Sequence, residues 1–279
     1  MANSSDSIFT LKNATTAYKK AKVDAWKLHT INATDFMQFE VGFKENIVDF
    51  LADISWVDYQ KILSDDWLGT WSYRIKKVHP LEEEVAGEIF SAPVKQLKGC
   101  SVKSVDFRVF ADPSVKFHLL SAFWIAMVAP KYNAKLRSCV YGNCLRHGQN
   151  PRAAGSFVGY IGKLQEWKKR AIGTTKELLN QKKEAIVVTA DATAFYHSLK
   201  PDFLLNETYL RRVGVDLTAE ERGLTRLLIS AINYWASQTP LKSGLPVGLP
   251  VSAVIANLAL VEFDSIVCDR VKPAYYGRY

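Results

Sequence analysis

Cysteine is scarce in this chain, and nothing arranges it for chemistry. Cys100, Cys139, Cys144 and Cys268 form no Cys-x-x-Cys pair, which argues against a disulfide framework or a zinc ribbon and predicts reduced structural thiols. There are only five histidines, and His147 has no neighbour at ligand spacing, so no metal is expected there. The N-terminal MANSSDS is polar and is followed by no apolar core with a cleavage site, which excludes a secretory signal of the usual kind. The most apolar run, Phe117 to Pro130, contains His118 and is too short to span a bilayer. Repeats, low-complexity stretches and Gly/Ser linkers are also missing. These absences predict a cytoplasmic protein with no membrane partner.

What is present is ordinary globular material with an excess of positive charge. Apolar residues make up 48% and charged residues 23% of 279 positions, enough for a sizeable core in one large domain or two small ones. The net charge of +8 suits an anionic partner such as nucleic acid, although many basic proteins bind none.

The N-terminal part reads as helical. Phe36, Phe39, Phe43, Ile47, Phe50, Leu51 and Ile54 recur at three- and four-residue steps, the pattern of a core-facing helical stripe. Trp67, Trp71 and Tyr73 have two readings, as base-stacking rings or as buried packing. Trp71 to Val78 reads as a short basic strand ended by Pro80. Ser101 to Phe110 alternates apolar and polar residues and predicts a second strand, with Val102, Val105 or Phe107, and Val109 inward. Asp112 is expected to cap a following helix, with Pro113 at its first position, running to about Val128. The basic stretch Gly155 to Lys183 holds seven Lys and Arg against Glu166 and Glu177. It is either a phosphate-binding face or simply a solvated one.

Two stretches carry the chemistry. In Ala185 to Leu205, the β-branched run Ile186, Val187 and Val188 predicts a buried strand that delivers Asp191 to its end. A carboxylate there suits Mg²⁺, which needs only one or two protein carboxylates plus phosphate oxygens. Tyr196 follows five residues after Asp191. The second stretch, Gly244 to Asp264, opens with an irregular turn set by Gly244, Pro246, Gly248 and Pro250. A helix from Ser252 to about Cys268 follows, carrying Asn257, which either orders a neighbouring turn or makes a core hydrogen bond.

These two stretches, in this order and about fifty residues apart, resemble two motifs of reverse transcriptases. The match is to the divergent bacterial branch associated with abortive infection and phage defence. The resemblance implies an α+β, right-hand polymerase: a helical N-terminal region (1–95), fingers (96–185) and an incomplete palm with an antiparallel sheet (186–279). It implies RNA-directed DNA synthesis in antiphage defence, with an RNA template, a DNA primer and product, and deoxynucleoside triphosphates as partners. It leaves the oligomeric state open. The cofactor it implies is a pair of Mg²⁺ ions, with Mn²⁺ as an alternative, about 3.5–4 Å apart. Asp191 is then the catalytic carboxylate and metal ligand, and the Ala192 carbonyl completes one shell. Backbone N–H groups around Thr193 and Ala194 would cradle phosphates, while Tyr196 would lie under the sugar and exclude a 2′-hydroxyl. Gly248 would let backbone approach the nucleotide. Arg108 stands where the family's triphosphate-gripping arginine stands, with Lys103 as a companion; a solvated strand arginine is the plain alternative.

Departures from the family pattern are also legible. Val247 replaces the usual Gln of the Pro-Gln-Gly turn. An arginine expected just after Tyr141-Gly142 is displaced to Arg146. The family's Tyr-x-Asp-Asp hairpin supplies the second aspartate, and Tyr279 resembles the tyrosine that opens it. The residues as given are therefore expected to lack a complete metal site and to be inactive alone. Two rival functions fit the same residues: template-independent or protein-primed DNA synthesis, and a nucleic-acid-binding scaffold without chemistry.

Overall fold

A computed structural model describes residues 7–27, 33–80, 102–146 and 155–279. Cys100, His147, Arg152 and the expected boundary at 95/96 lie outside the described residues. The described chain begins with helices α1 (Leu11–Lys27), α2 (Ala33–Val41), α3 (Phe43–Trp56), α4 (Tyr59–Ile62) and α5 (Asp65–Leu68). Strands β1 (Gly69–Pro80) and β2 (Val102–Pro113) follow. Then come α6 (Val115–Met127), α7 (Ala129–Asn133), α8 (Tyr160–Asn180), α9 (Phe195–Ser198), α10 (Glu207–Val213), α11 (Ala219–Gln238), α12 (Pro250–Ala259) and α13 (Val261–Ile266). A π-helical turn, Val267–Val271, extends the last of these.

The body is packed around α6. Its sequence is apolar on every side, so it can be stable only where every side is covered. It is wrapped by α1, α11 and α12, and Phe117, Leu119, Leu120, Phe123 and Trp124 are wholly buried. Its N-cap is Ser114, whose Oγ accepts from the Phe117 N–H at 3.1 Å. The expected cap, Asp112, instead belongs to β2 and is ion-paired with Arg74. Helix α1 fits closely because it presents alanines: Ala14, Ala17, Ala21 and Ala25 are all buried, beside Tyr18. The phenylalanine stripe also faces the core, through Phe36, Phe39, Ile47, Phe50 and Ile54. It is carried by two helices, α2 and α3, with Gly42 as the break between them.

The fold is thus mixed helix with a small antiparallel sheet. β1 and β2 pair from Gly69↔Pro113 to Pro80↔Val102, with register shifts at Ile75/Lys77 and His79/Pro80. They are the only two strands of the sheet among the described residues, so the antiparallel sheet lies before residue 114 and not, as expected, after 186. The strand expected at Ile186 to Val188 is not formed. That segment is irregular, and its three side chains are 92%, 68% and 84% exposed. β-branched composition favours a pleated, half-buried surface, but a strand also needs a neighbour to complete its ladder, and none of the described strands lies beside it.

By length and composition one helical run, Pro250–Val271, is apolar enough to cross a membrane, and half of it is buried in the fold. Its first turns pack on α6.

Candidate functional site

Three stretches far apart in sequence meet along one edge of β2. The Gly244–Gly248 turn docks there through the Ala111 N–H, which donates to the Val247 carbonyl at 2.8 Å. The same turn is tied to α9, because the Leu245 N–H donates to the Tyr196 carbonyl at 2.8 Å. The His197 ring lies against the Val109 backbone and closes the triangle.

Local chemistry explains why this approach is possible. Gly244 has φ +106°, and a β-carbon there would stand 2.6 Å from the His197 carbonyl oxygen and 2.7 Å from its Cα. Only glycine allows two backbones so close in that conformation. Gly248 also lies in the left-handed region, at φ +104°. Pro246 and Pro250 stiffen the turn, and the Ser252 hydroxyl donates to the Pro246 carbonyl at 2.7 Å. The Val251 N–H donates to Ser121 Oγ at 3.0 Å, so the turn is also fastened to α6.

Of the residues expected to act together, Arg108, Tyr196 and the Gly248 turn are gathered here. The Arg108 charge acts on both Tyr196 and His197. Burial pushes the Tyr196 hydroxyl above its ordinary value, with Arg108 opposing. Burial first, then Arg108, with a weaker contribution from Lys76, hold the His197 imidazole below its ordinary value against the opposing effect of the Val109 backbone. The His197 Nε2 is buried with no partner, as suits a neutral ring.

Asp191, Ala192, Thr193 and Ala194 form an exposed turn just before α9. Ala194 takes the left-handed conformation, φ +52° and ψ +29°, as the N-cap of α9. Asp191 has no hydrogen bond or ion pair among the described residues, so it is not consumed by an internal salt link. Because the strand before it is not formed, its position is set by this turn alone.

Lys103 is not a companion of Arg108. It sits at a register shift at the far end of the hairpin, five residues or roughly 16 Å along the strand. The neighbour is Arg74, directly opposite Arg108 in the register and so on the same face. Two like charges in that relation repel. Arg74 is held nonetheless, its guanidinium 3.8 Å from the Phe110 ring centroid and 3.7 Å from Asp112 Oδ1. Arg74 is invisible to sequence reading until the register is known. His197 had a weak signal, its position next to Tyr196.

A second, largely buried network ties Arg278 and α12 to the Tyr141–Asn143 turn. Arg278 donates from Nε to Asp264 Oδ1 at 2.8 Å, from Nη2 to Asp264 Oδ2 at 2.9 Å, and from Nη1 to Asn257 Oδ1 at 2.6 Å. Tyr276 donates to the same Asp264 at 2.7 Å, and burial together with that carboxylate raises its hydroxyl's pKa. Asn257 Nδ2 donates to the Gly142 carbonyl at 2.9 Å, so Asn257 orders the Tyr141–Asn143 turn. The Tyr141 N–H donates to the Arg278 carbonyl at 2.9 Å. A β-carbon on Gly142 would lie 2.7 Å from the Tyr279 carbonyl carbon. Arg146, the displaced arginine, donates from Nε to the Phe157 carbonyl at 2.7 Å and braces its own loop.

The basic stretch forms α8, which buries no residue. Lys168, Lys169 and Lys176 are exposed, while Lys163 and Arg170 pair with Glu166. Cys139, Cys144 and Cys268 are free thiols, and burial pushes Cys139 up to about 11, which makes it a poor nucleophile. Among the described residues no group of three or more His, Cys, Asp or Glu side chains gathers to hold a metal.

What the arrangement can do chemically is hold an anion. Arg74 and Arg108 share one strand face, with the Tyr196–His197 turn and an unengaged carboxylate close by in sequence. Compared with family models, curated proteins and solved structures, the chain finds no match.

Proposed function

We propose that this chain carries the fingers and part of the palm of a right-hand nucleotidyltransferase of reverse-transcriptase type, acting as an RNA-directed DNA polymerase in antiphage defence. The observation that carries this reading is the meeting of the Arg108 strand, the Tyr196–His197 turn and the Gly244–Gly248 turn through the Ala111–Val247 and Leu245–Tyr196 backbone hydrogen bonds. Nothing in local sequence preference obliges three such pieces to converge.

In this reading Arg108 and Arg74 neutralise the triphosphate with planar, permanently charged forks. Tyr196, its backbone pinned by Leu245, forms the floor beneath the sugar and rejects a 2′-hydroxyl by bulk. Backbone N–H groups at Thr193 and Ala194 face phosphate oxygens. Catalysis of phosphoryl transfer is mostly positioning and charge neutralisation, which is what these groups supply.

The donor set fits magnesium: an exposed, unengaged carboxylate at Asp191 and the Ala192 carbonyl are hard oxygen ligands. Bound there, Mg²⁺ (or Mn²⁺) would supply charge neutralisation and an activated attacking hydroxyl.

The test is equilibrium binding of deoxynucleoside and ribonucleoside triphosphates with and without Mg²⁺. The expected result is Mg²⁺-dependent preference for the deoxy form. Asp191→Ala should abolish the Mg²⁺ dependence, and Tyr196→Ala should erase the sugar preference. Binding that ignores metal, sugar and both substitutions would overturn the assignment. A scaffold without chemistry is the second reading, favoured by the missing strand before Asp191; it predicts nucleic-acid binding with no nucleotide preference.

A further inference from the structure

We propose that the outer face of the β1–β2 hairpin is a stacking platform for the unpaired bases of a single-stranded nucleic acid. The register places Trp71, Tyr73 and Ile75 on the same face as Phe107, Val109 and Ala111. At the root of the hairpin this face is core, where Val109 and Ala111 are buried. Beyond the root, Tyr73, Ile75 and Phe107 are 56%, 60% and 56% exposed. Packing therefore accounts for the root alone and leaves the outer rings facing water.

The rings are already ordered relative to one another. Trp71 and Tyr73 meet edge-to-face at 5.2 Å, and Tyr73 and Phe107 at 5.9 Å. Each offers a π-surface, and every nucleobase can stack on such a surface whatever its sequence.

The charge of the hairpin as a whole selects the occupant, since Arg74 and Arg108 stand on the face opposite the rings and add to the field around the strip without lining it. The hairpin carries Arg74, Lys76, Lys77, Lys103 and Arg108 against Asp106 and Asp112. Both acids are already engaged, Asp106 with His79 at 3.0 Å and Asp112 with Arg74 at 3.7 Å. A second copy of this chain would bring the same net-positive hairpin against itself. A phosphate backbone is complementary to it. A duplex keeps its bases stacked internally, so the rings favour a single strand. The inference rests on the nucleic-acid part of the proposed function and not on its chemistry.

The experiment titrates the chain with short oligo(rA), oligo(rU) and a blunt RNA duplex, reading anisotropy and tryptophan emission. Oligo(rA) should bind more tightly than the duplex and quench emission, and Trp71→Phe should remove the quench. Tyr73→Ala and Phe107→Ala should each weaken oligo(rA) binding roughly five- to a hundredfold. Tyr73→Phe should restore it, with the salt slope unchanged in all variants because the phosphate contacts remain. Both positions are exposed, and thermal melts confirm that the variants fold. If the strand binds but the alanine variants bind as well, the platform is wrong and the nucleic-acid reading stands. If no oligonucleotide binds, both fall. A change of oligomeric state on substitution would make the strip a contact between copies instead.

Discussion

Helices α6 and α8 are the two extremes of this molecule. α6 spans thirteen residues, ten of them buried, whereas α8 spans twenty-one and buries none. The first is stabilised by what surrounds it, since isolated helices of that length are marginal in water. The second relies on its own local energetics, including the Lys163–Glu166–Arg170 pairs at i,i+3 and i,i+4. It also has a few anchors: Trp167 Nε1 donates to the Gly277 carbonyl at 3.1 Å, and Tyr275 donates to the Trp167 carbonyl at 3.3 Å. The body is thus built on α6, and α8 is an arm tied to it by few contacts among the described residues.

The contrast breaks if substitutions in the two helices cost the same. Trp124 is wholly buried and donates from Nε1 to Thr225 Oγ1 at 3.0 Å. Trp124→Ala should cost about 3–5 kcal/mol in urea unfolding. Ile172→Ala, on the exposed side of α8, should stay within about 0.5 kcal/mol. A large loss at Ile172 would mean that the arm belongs to the cooperative core.

Arg278 sharpens the comparison, because its network fastens the chain segment that grips α8. Asp264 is 1% exposed, and Arg278→Ala would leave its charge without its main partner. Loss of one member of such a pair costs roughly 3 kcal/mol. Hydrogen exchange should speed up through residues 139–143 and α8, with α6 unchanged. Uniform acceleration would instead place the network in the body.

The body was largely legible in the sequence, and the site only in part, for one physical reason. Helical stripes such as Phe36 to Ile54 depend on local periodicity, which composition and spacing reveal. Strand formation at Ile186 to Val188 depends on a neighbour that no local pattern specifies, so an apolar β-branched run was a poor guide to burial. The same limit hid Arg74, whose position against Arg108 exists only once β1 and β2 are in register. Between Asp112 and Ser114 the choice of cap turned on how far β2 continues, again a long-range matter. Gly244 and Gly248 were readable because their backbone geometry is a local property.

The smallest expected effect concerns the seam where the motif turns meet the body. His197 bridges α9 to the Val109 backbone while its buried Nε2 has no partner. Protonation there would add a positive charge beside Arg108 and Lys76 with nothing to accept its new N–H. The folded ring therefore resists a proton that the unfolded ring takes up near its ordinary value of 6.5. Below that pH the unfolded state binds more protons, so stability falls with acidification and levels off only beneath the depressed folded value. Urea midpoints should drop between about pH 7 and pH 5, and His197→Gln should flatten that part of the profile without changing the response of Trp124→Ala. If the slope survives the substitution unchanged, the seam is held by its backbone hydrogen bonds alone, and the histidine is a passenger in the contact between the motif turns and β2.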